Sequence, residues 1–500
     1  MEFLEELKNI GKERALINSA VSLLAWDQRT YMPKAAYEYR ANAIGYLSEL
    51  SFKKFVSDEM EKLLEKMERE SSKNQLSEYE EKLFRMTKYE YDIIKSLPPE
   101  LLKEITIESS KTEELWLKAR NGGDFNQLKK QLGRIVDLSR EMAERIGYKD
   151  NPYDALISRY EPGMTFRKLK DVMESLKRDL IPFIEKIENS SVKTSRDLLK
   201  GNFERKTLEI MCKELLETIG YDFDAGRLDE TVHPFTIDIS HNDTRVLTKY
   251  VANDIGATVY STLHEGGHAL YDQGLPEDYL WTVLHDGASY GIHESQSRMI
   301  ENNVGRNWSF SRYLLHILKK HFSHFNDVDH LSFYKAINHV EPSLIRIEAD
   351  ELTYNVHIVI RTEIEEALIN NRVKVSELPE FWNEKFKKYL GLLPSNDREG
   401  ILQDVHWYAG MFGYFPSYML GNLYAAQLYK SLHTEIDDLD NLMEKGKLEN
   451  LVSWLKTNVH SKGKSLFPDE LIKEVTDEEL KPSYFINYVK SKFSKIYEIH

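Results

Sequence analysis

The sequence predicts a mainly α-helical fold, on three observations. Glycine and proline are scarce, at 24 and 14 of 500 residues, so long stretches lack helix breakers. Charged residues make up 30% while hydrophobic ones still reach 41%, a mixture that suits amphipathic helices around a large core. Apolar residues recur at three- and four-residue spacing almost throughout, as in Leu4, Leu7, Ile10 and in Phe52, Val56, Met60, Leu63, Leu64.

Helix ends are marked by Met32-Pro33, Leu97-Pro98-Pro99, Asn121-Gly122-Gly123, Asn151-Pro152 and Glu161-Pro162-Gly163. Neither an internal repeat nor a low-complexity linker divides the chain, so residues 1–500 read as one helical domain with its core at 230–410. The first hundred residues or so are the most charged and carry the cleanest amphipathic helices, which predicts a helical cover over the rest. One stretch leaves the helical rhythm. Thr236-Ile237-Asp238-Ile239 alternates, Ser240-His241-Asn242-Asp243 reads as a turn, and Thr244-Arg245-Val246-Leu247 follows, which predicts a small hairpin. A lone hairpin is marginal, so it should lie against helices, with an edge that an extended peptide could join.

The charge balance, 82 acidic against 67 basic residues, shows no basic run and argues against nucleic acid. Net acidity is read first as what keeps a large protein dispersed, with mild attraction of cationic peptides into an acidic cleft as the alternative. Cys212 is the single cysteine, so no intrachain disulfide forms and a reducing cytoplasm is expected. The start, Met1-Glu2-Phe3-Leu4-Glu5-Glu6, lacks the features of a secretory signal. No run approaches the ~18 apolar residues of a membrane span.

His264-Glu265-Gly266-Gly267-His268 carries the chemistry. Histidines four apart on a helix project from one face and can share a divalent ion, while Glu265 between them can reach a bound water as general base. Gly266 and Gly267 each weaken the helix by about 1 kcal/mol, which predicts close approach of substrate or another helix there. A catalytic site takes a third protein ligand. Gly274 and Tyr271 stand where the three-histidine pattern needs other residues. Glu294, within His293-Glu294-Ser295-Gln296-Ser297, is the expected third ligand, with His293 and Glu301 as competitors. His285 and Asp286 read either as residues that orient the ligands or as a surface pair. His316, His321, His324 and His330 have no evident acid or base partner and read as surface residues.

With these residues in place the chain resembles the carboxypeptidase Taq family of metallocarboxypeptidases from end to end. The resemblance is carried by Trp26-Asp27-Gln28, Met32-Pro33, Tyr160-Glu161-Pro162-Gly163-Met164-Thr165, His233-Pro234-Phe235, the histidine motif and His293-Glu294-Ser295-Gln296. It continues through Ile345-Arg346-Ile347-Glu348-Ala349-Asp350, Gly400-Ile401-Leu402-Gln403-Asp404-Val405-His406-Trp407, Gly413-Tyr414-Phe415-Pro416, Leu466-Phe467-Pro468 and Pro482-Ser483-Tyr484-Phe485. One departure stands out: the family's Asp-x-Arg-x-Thr pattern matches at Asp243 and Arg245, but Leu247 replaces the threonine.

The resemblance implies a helical peptidase with a deep cleft. It further implies a homodimer, one zinc or cobalt ion per subunit, and release of single C-terminal residues with broad preference. A carboxypeptidase must hold a free carboxylate, which an arginine fork does best. Arg346, expected on a helix, is the first choice for that role and Arg245 the second, with His233 at the start of the hairpin lining the substrate groove. His406 and Tyr418 are the expected donors to the oxyanion, with Asp404 beside His406 fixing its tautomer or charge. Rival readings are a peptidyl-dipeptidase or oligoendopeptidase of the same helical type, and a helical scaffold whose metal is structural.

Overall fold

Residues that punctuate the sequence also end helices in the structure, a computed structural model that describes residues 2–499. Met32-Pro33 falls between helices Glu2–Arg29 and Tyr37–Phe55. Pro99 opens the helix Pro99–Gly122, and Gly123 ends it in the left-handed region with φ 67°. Asn151 caps Pro152–Ile157, and Thr165 caps Phe166–Glu188. The run from Phe52 to Leu64 is two helices rather than one. Ser57 caps the second, Asp58–Ser71, by accepting a hydrogen bond from the Met60 N–H at 3.2 Å.

The first ninety residues form an apolar cluster of their own, including Phe3, Leu7, Ile10, Met67, Leu83 and Met86, which meets Leu284 of the following chain. The main core runs from Leu97 to Tyr497. Among the described residues, no helix is long and apolar enough to cross a membrane.

The expected hairpin is part of a three-stranded sheet. β1 (Gly226–Glu230) runs parallel to β3 (Asp243–Thr248), and β2 (Phe235–Ser240) runs antiparallel on its other side. β1 escaped the sequence because Gly-Arg-Leu-Asp-Glu holds one apolar residue and does not alternate. Alternation separates the two faces of the sheet. Thr236 and Val246 pair on one face, where the Thr236 hydroxyl donates to Glu265. Ile237 and Arg245, and Phe235 and Leu247, pair on the other, against Trp26 of the first helix. Leu247 is fully buried there with Trp26 and Ile239, a setting in which a hydroxyl is not needed and an isobutyl group packs.

The histidine motif lies on the helix Ile255–Gln273, capped by Asp254. Both glycines face other helices rather than substrate. A Cβ on Gly266 would lie 2.5 Å from Ile219 and 2.7 Å from Leu216, and one on Gly267 would lie 2.6 Å from the backbone of Gln296 and Ser297. The second of these neighbours is the helix Tyr290–Arg298, which runs on into a π-helical turn, Met299–Val304, and packs along Phe415–Glu435. Arg346 is not on a helix as expected. It starts a single 3-10 turn, Arg346–Glu348, because its N–H donates to the Gln403 side chain and Asp350 then caps the next turn through the Leu352 and Thr353 N–H groups.

Candidate metal centre

His264 and His268 leave the motif helix on one face, and Glu294 reaches them from the neighbouring helix. One Glu294 carboxylate oxygen lies 3.5 Å from His264 Nε2 and 3.3 Å from His268 Nε2, and the three donor atoms fall within 4.8 Å of one another. Zinc–nitrogen and zinc–oxygen bonds of ~2.0–2.2 Å at tetrahedral angles separate neighbouring ligand atoms by about 3.4 Å, so this donor set fits one divalent ion. Glu294 gets this close because residue 421 is glycine: a Cβ there would stand 2.4 Å from its Cγ.

Each donor is held from behind. His264 Nδ1 lies 2.9 Å from Glu301, the expected competitor, which therefore stands behind a ligand position. His268 Nδ1 lies 2.6 Å from His293 Nδ1, and His293 Nε2 lies 2.8 Å from Asp272. Arg298 donates to the second Glu294 oxygen at 2.6 Å and to Glu301 at 3.2 Å. Burial would raise the Glu294 carboxyl, but Arg298 and the two imidazoles outweigh it and hold the group well below its ordinary value. Burial lowers His268 to about 4, which keeps the imidazole neutral and able to bind metal. His264 moves the other way: burial lowers it, but Glu294 and Glu301 more than offset this. Glu265 is raised by burial, against His264 and the Thr236 hydroxyl, which donates to it at 2.9 Å.

The donors open into a cleft of about 1260 Å³, lined by Pro234 and the start of β2 from Phe235 to Asp238, by the motif helix, and by Tyr354, Tyr414 and Tyr418. That volume exceeds the ~300–1,000 Å³ of sites for small molecules and suits an extended chain. Arg346 lines the cleft, but its fork already donates to Asp404 at 3.0 and 2.8 Å and to the Tyr354 hydroxyl at 2.9 Å. Among the described residues, Asp404 makes no hydrogen bond to His406, whose Nδ1 is buried without a partner. It bridges Arg346 and Arg361 instead, and accepts from the latter at 2.6 Å. His406 does not line the cleft; its Nε2 sits 3.2 Å from the Tyr418 hydroxyl, one layer back.

Two expected substrate residues lie elsewhere. Arg245 is on the far face of β3, paired with Asp243 at 2.8 Å and stacked 4.3 Å from the Trp26 ring, because its register partner there is Ile237. His233 is exposed in the loop before β2 and does not line the cleft, although Pro234 and Phe235 do. Asp286 lines the cleft, bound to Lys464 and to its neighbour's N–H, while His285 faces His241. His316 is exposed, whereas His321 pairs with Glu214 at 2.6 Å and His330 meets the Ser311 hydroxyl at 2.8 Å. Asp272 and Arg298 escaped the sequence reading despite a usable signal. Asp272 follows His268, and Arg298 follows Glu294, by four residues on the same helical face.

A helical cleft with two histidines and a glutamate sharing one ion's spacing, and a buried glutamate between the histidines, defines a metallopeptidase class of site. The profile described as Carboxypeptidase Taq (M32) metallopeptidase matches residues 6–493, and the chain belongs to that family. It is 41% identical over 497 residues to Carboxypeptidase 1 of Bacillus subtilis (strain 168), covering 99% of this chain and 98% of that one. It is 36% identical over 503 residues to Thermostable carboxypeptidase 1 of Thermus thermophilus, with 99% and 98% covered. Among solved structures, the M32 carboxypeptidase from Deinococcus radiodurans R1 superposes with a TM-score of 0.96 at 31% identity, covering 100% of both chains. Pyrococcus furiosus carboxypeptidase does so with a TM-score of 0.95 at 34% identity, covering 99% of both. This chain is accordingly a metal-dependent carboxypeptidase.

Proposed function

We propose that His264, His268 and Glu294 hold one zinc ion, with cobalt able to take the same donors, and that Glu265 is the general base for cleavage of the last peptide bond of peptides with a free C-terminus. The observation that carries this reading is the common spacing of the three donor atoms beside a buried Glu265 at the floor of the cleft. Among the described residues the grouped donors number three, whereas a structural zinc site takes four, which favours catalysis over a scaffold role. A bound divalent ion supplies Lewis acidity at the scissile carbonyl.

Glu265 accepts a proton from the attacking water and returns it to the departing amine nitrogen. The Thr236 hydroxyl fixes the carboxylate for that transfer. Tyr418 donates to the developing oxyanion, and His406 orients its hydroxyl from behind. Arg346 takes the terminal carboxylate. Of its five N–H groups, three are engaged by Asp404 and Tyr354, and Asp404 is shared by two guanidinium groups, so a positive charge remains for substrate. Residues 1–100, with their charged amphipathic helices, act as the cover and 230–410 as the catalytic core; the single Cys212 fits a reducing cytoplasm, and the resemblance implies a homodimer of broad residue preference.

Mass spectrometry of a peptide digest tests the reading: a ladder that loses one residue per step is expected, and loss of residues in pairs overturns it. Glu265→Gln is expected to keep its metal and lose about 10²–10⁴-fold in kcat. Retained turnover with full metal content would exclude Glu265 as the base.

A further inference from the structure

One end of the cleft is walled by three tyrosines that the reaction above leaves without a role: Tyr160, Tyr290 and Tyr414. Their rings meet edge to face in all three pairings, at 5.4 Å for Tyr160–Tyr290, 5.1 Å for Tyr160–Tyr414 and 5.4 Å for Tyr290–Tyr414. They come from distant segments. Tyr160 follows the helix Pro152–Ile157, Tyr290 opens the helix that bears Glu294, and Tyr414 precedes the helix Phe415–Glu435. Backbone contacts hold this cup in shape. The Tyr290 N–H donates to the Tyr160 carbonyl at 3.2 Å, the Gly291 N–H donates to the buried Glu161 carboxylate, and Ser289 accepts from the Ile292 N–H at 3.0 Å. Tyr160 is buried and Tyr414 half-buried, yet Tyr290 is 52% exposed. A ring left that open adds little to the fold, and this one stands in the cleft.

Two alignments place the cup on the far side of the metal donors from Arg346. Glu294 stands mid-helix, with Tyr290 four residues before it and Arg298 four after, about 6 Å away along the axis in either direction. Arg298 stacks 4.4 Å from the Tyr354 ring, whose hydroxyl accepts from Arg346, so the carboxylate anchor belongs to the Arg298 end. The facing wall repeats the order. Arg346 lies 5.0 Å from the Tyr418 ring, Tyr418 lies 5.1 Å from Tyr414, and Tyr160 and Tyr290 come next. A peptide with its terminal carboxylate on Arg346 and its last peptide carbonyl at the donors therefore continues towards the tyrosines.

We infer that Tyr160, Tyr290 and Tyr414 form a subsite for an aromatic side chain on the penultimate residue of the substrate, the residue whose carbonyl is attacked. The assignment rests on Arg346 as the carboxylate anchor, which sets the direction of the chain. Successive side chains of an extended peptide lie about 3.3 Å apart and point to opposite sides. Only one of the two residues before the last can therefore face the cup, and the penultimate one lies nearer to Glu294. The surroundings select a ring over a cation. Arg159 already lies 5.3 Å over the Tyr160 ring, and Asp286, four residues before Tyr290, is bound to Lys464 at 3.2 Å. An incoming ring adds edge-to-face contacts to a cup that is assembled beforehand, so little ordering is lost on binding. Broad preference concerns the residue released; selectivity here falls on the residue left behind.

Release rates from N-acetylated alanine tetrapeptides test this on the full-length, metal-loaded enzyme, with a single phenylalanine or arginine placed at the last, penultimate or third-last position. Phenylalanine in place of alanine at the penultimate position is expected to raise kcat/KM about 10–100-fold. Tyr290→Ala should cut that ratio about tenfold, and Tyr290→Phe should restore it, because the ring and not the hydroxyl makes the contact. The ratio compares two peptides on one preparation, so lost fold or lost metal does not move it. A ratio that survives in Tyr290→Ala, a preference for arginine over phenylalanine at the penultimate position, or a preference that sits at the third-last position overturns the subsite and leaves Arg346 its role. If Tyr290→Ala instead removes discrimination at the last residue, the peptide runs the other way, and Arg346 falls as the anchor together with this inference.

Discussion

On the metal side of the cleft every donor leans on a second residue, whereas on the aromatic side the hydroxyls have few or long contacts. His264 rests on Glu301 at 2.9 Å, His268 on His293 at 2.6 Å and Glu294 on Arg298 at 2.6 Å. Tyr418, by contrast, meets His406 at 3.2 Å. The difference suits two tasks. Metal donors have to be in place before the ion arrives, and an outer layer supplies that order. An oxyanion donor is needed only as charge develops, so a hydroxyl that rests on His406 at 3.2 Å and on the neighbouring Tyr414, with no ion pair to fix it, can turn towards it.

Tyr418→Phe gives the largest expected effect on this contrast. It should lower kcat about 10²-fold without changing metal content, read by steady-state kinetics on protein of known zinc content. An unchanged kcat would make the aromatic side a passive wall. Glu301→Gln comes next. It should weaken metal binding about 10–100-fold, measured by competition with a chelator, while the metal-saturated variant stays close to wild type in kcat. If affinity is unmoved and kcat falls, Glu301 serves the chemistry and the contrast between the two sides fails. The smallest effect is expected for Leu247→Thr, which places a hydroxyl in the cluster around Trp26. Thermal or denaturant unfolding should show a loss of about 1–2 kcal/mol with kcat unchanged. A gain in kcat would mean that the sheet's far face reaches the reaction.

The metal side was readable from sequence because helical spacing carries it: residues four apart share a face, and Glu294 lies on a short, regular helix. Asp272 and Arg298 obeyed the same rule and were there to be found. Glu301 follows Glu294 by seven residues, and the π-helical turn that begins at Met299 carries it to His264, a detail with no signature in residue pattern. The far side was less legible. Arg346 left the expected helix because Gln403, 57 residues on, takes its N–H, and His406 lies behind Tyr418 because Asp404 is occupied by two arginines. Arg245 carried the right motif and points the wrong way. Register with Ile237 decides its face, and the third strand that makes β3 central has no alternation to reveal it.

Gly266 and Gly267 also bear on how this motif can vary. Each is wedged against a different helix, one bearing Leu216 followed by Ile219 and the other bearing Glu294 itself. The two middle letters of the motif are thus fixed by its surroundings as firmly as the outer letters are fixed by chemistry. A motif helix with bulkier residues at those positions, transplanted into this scaffold, would push Glu294, the proposed third ligand, away from His264 and His268. A substitution there would act on the site through geometry, since both glycines face neighbouring helices and neither lines the cleft.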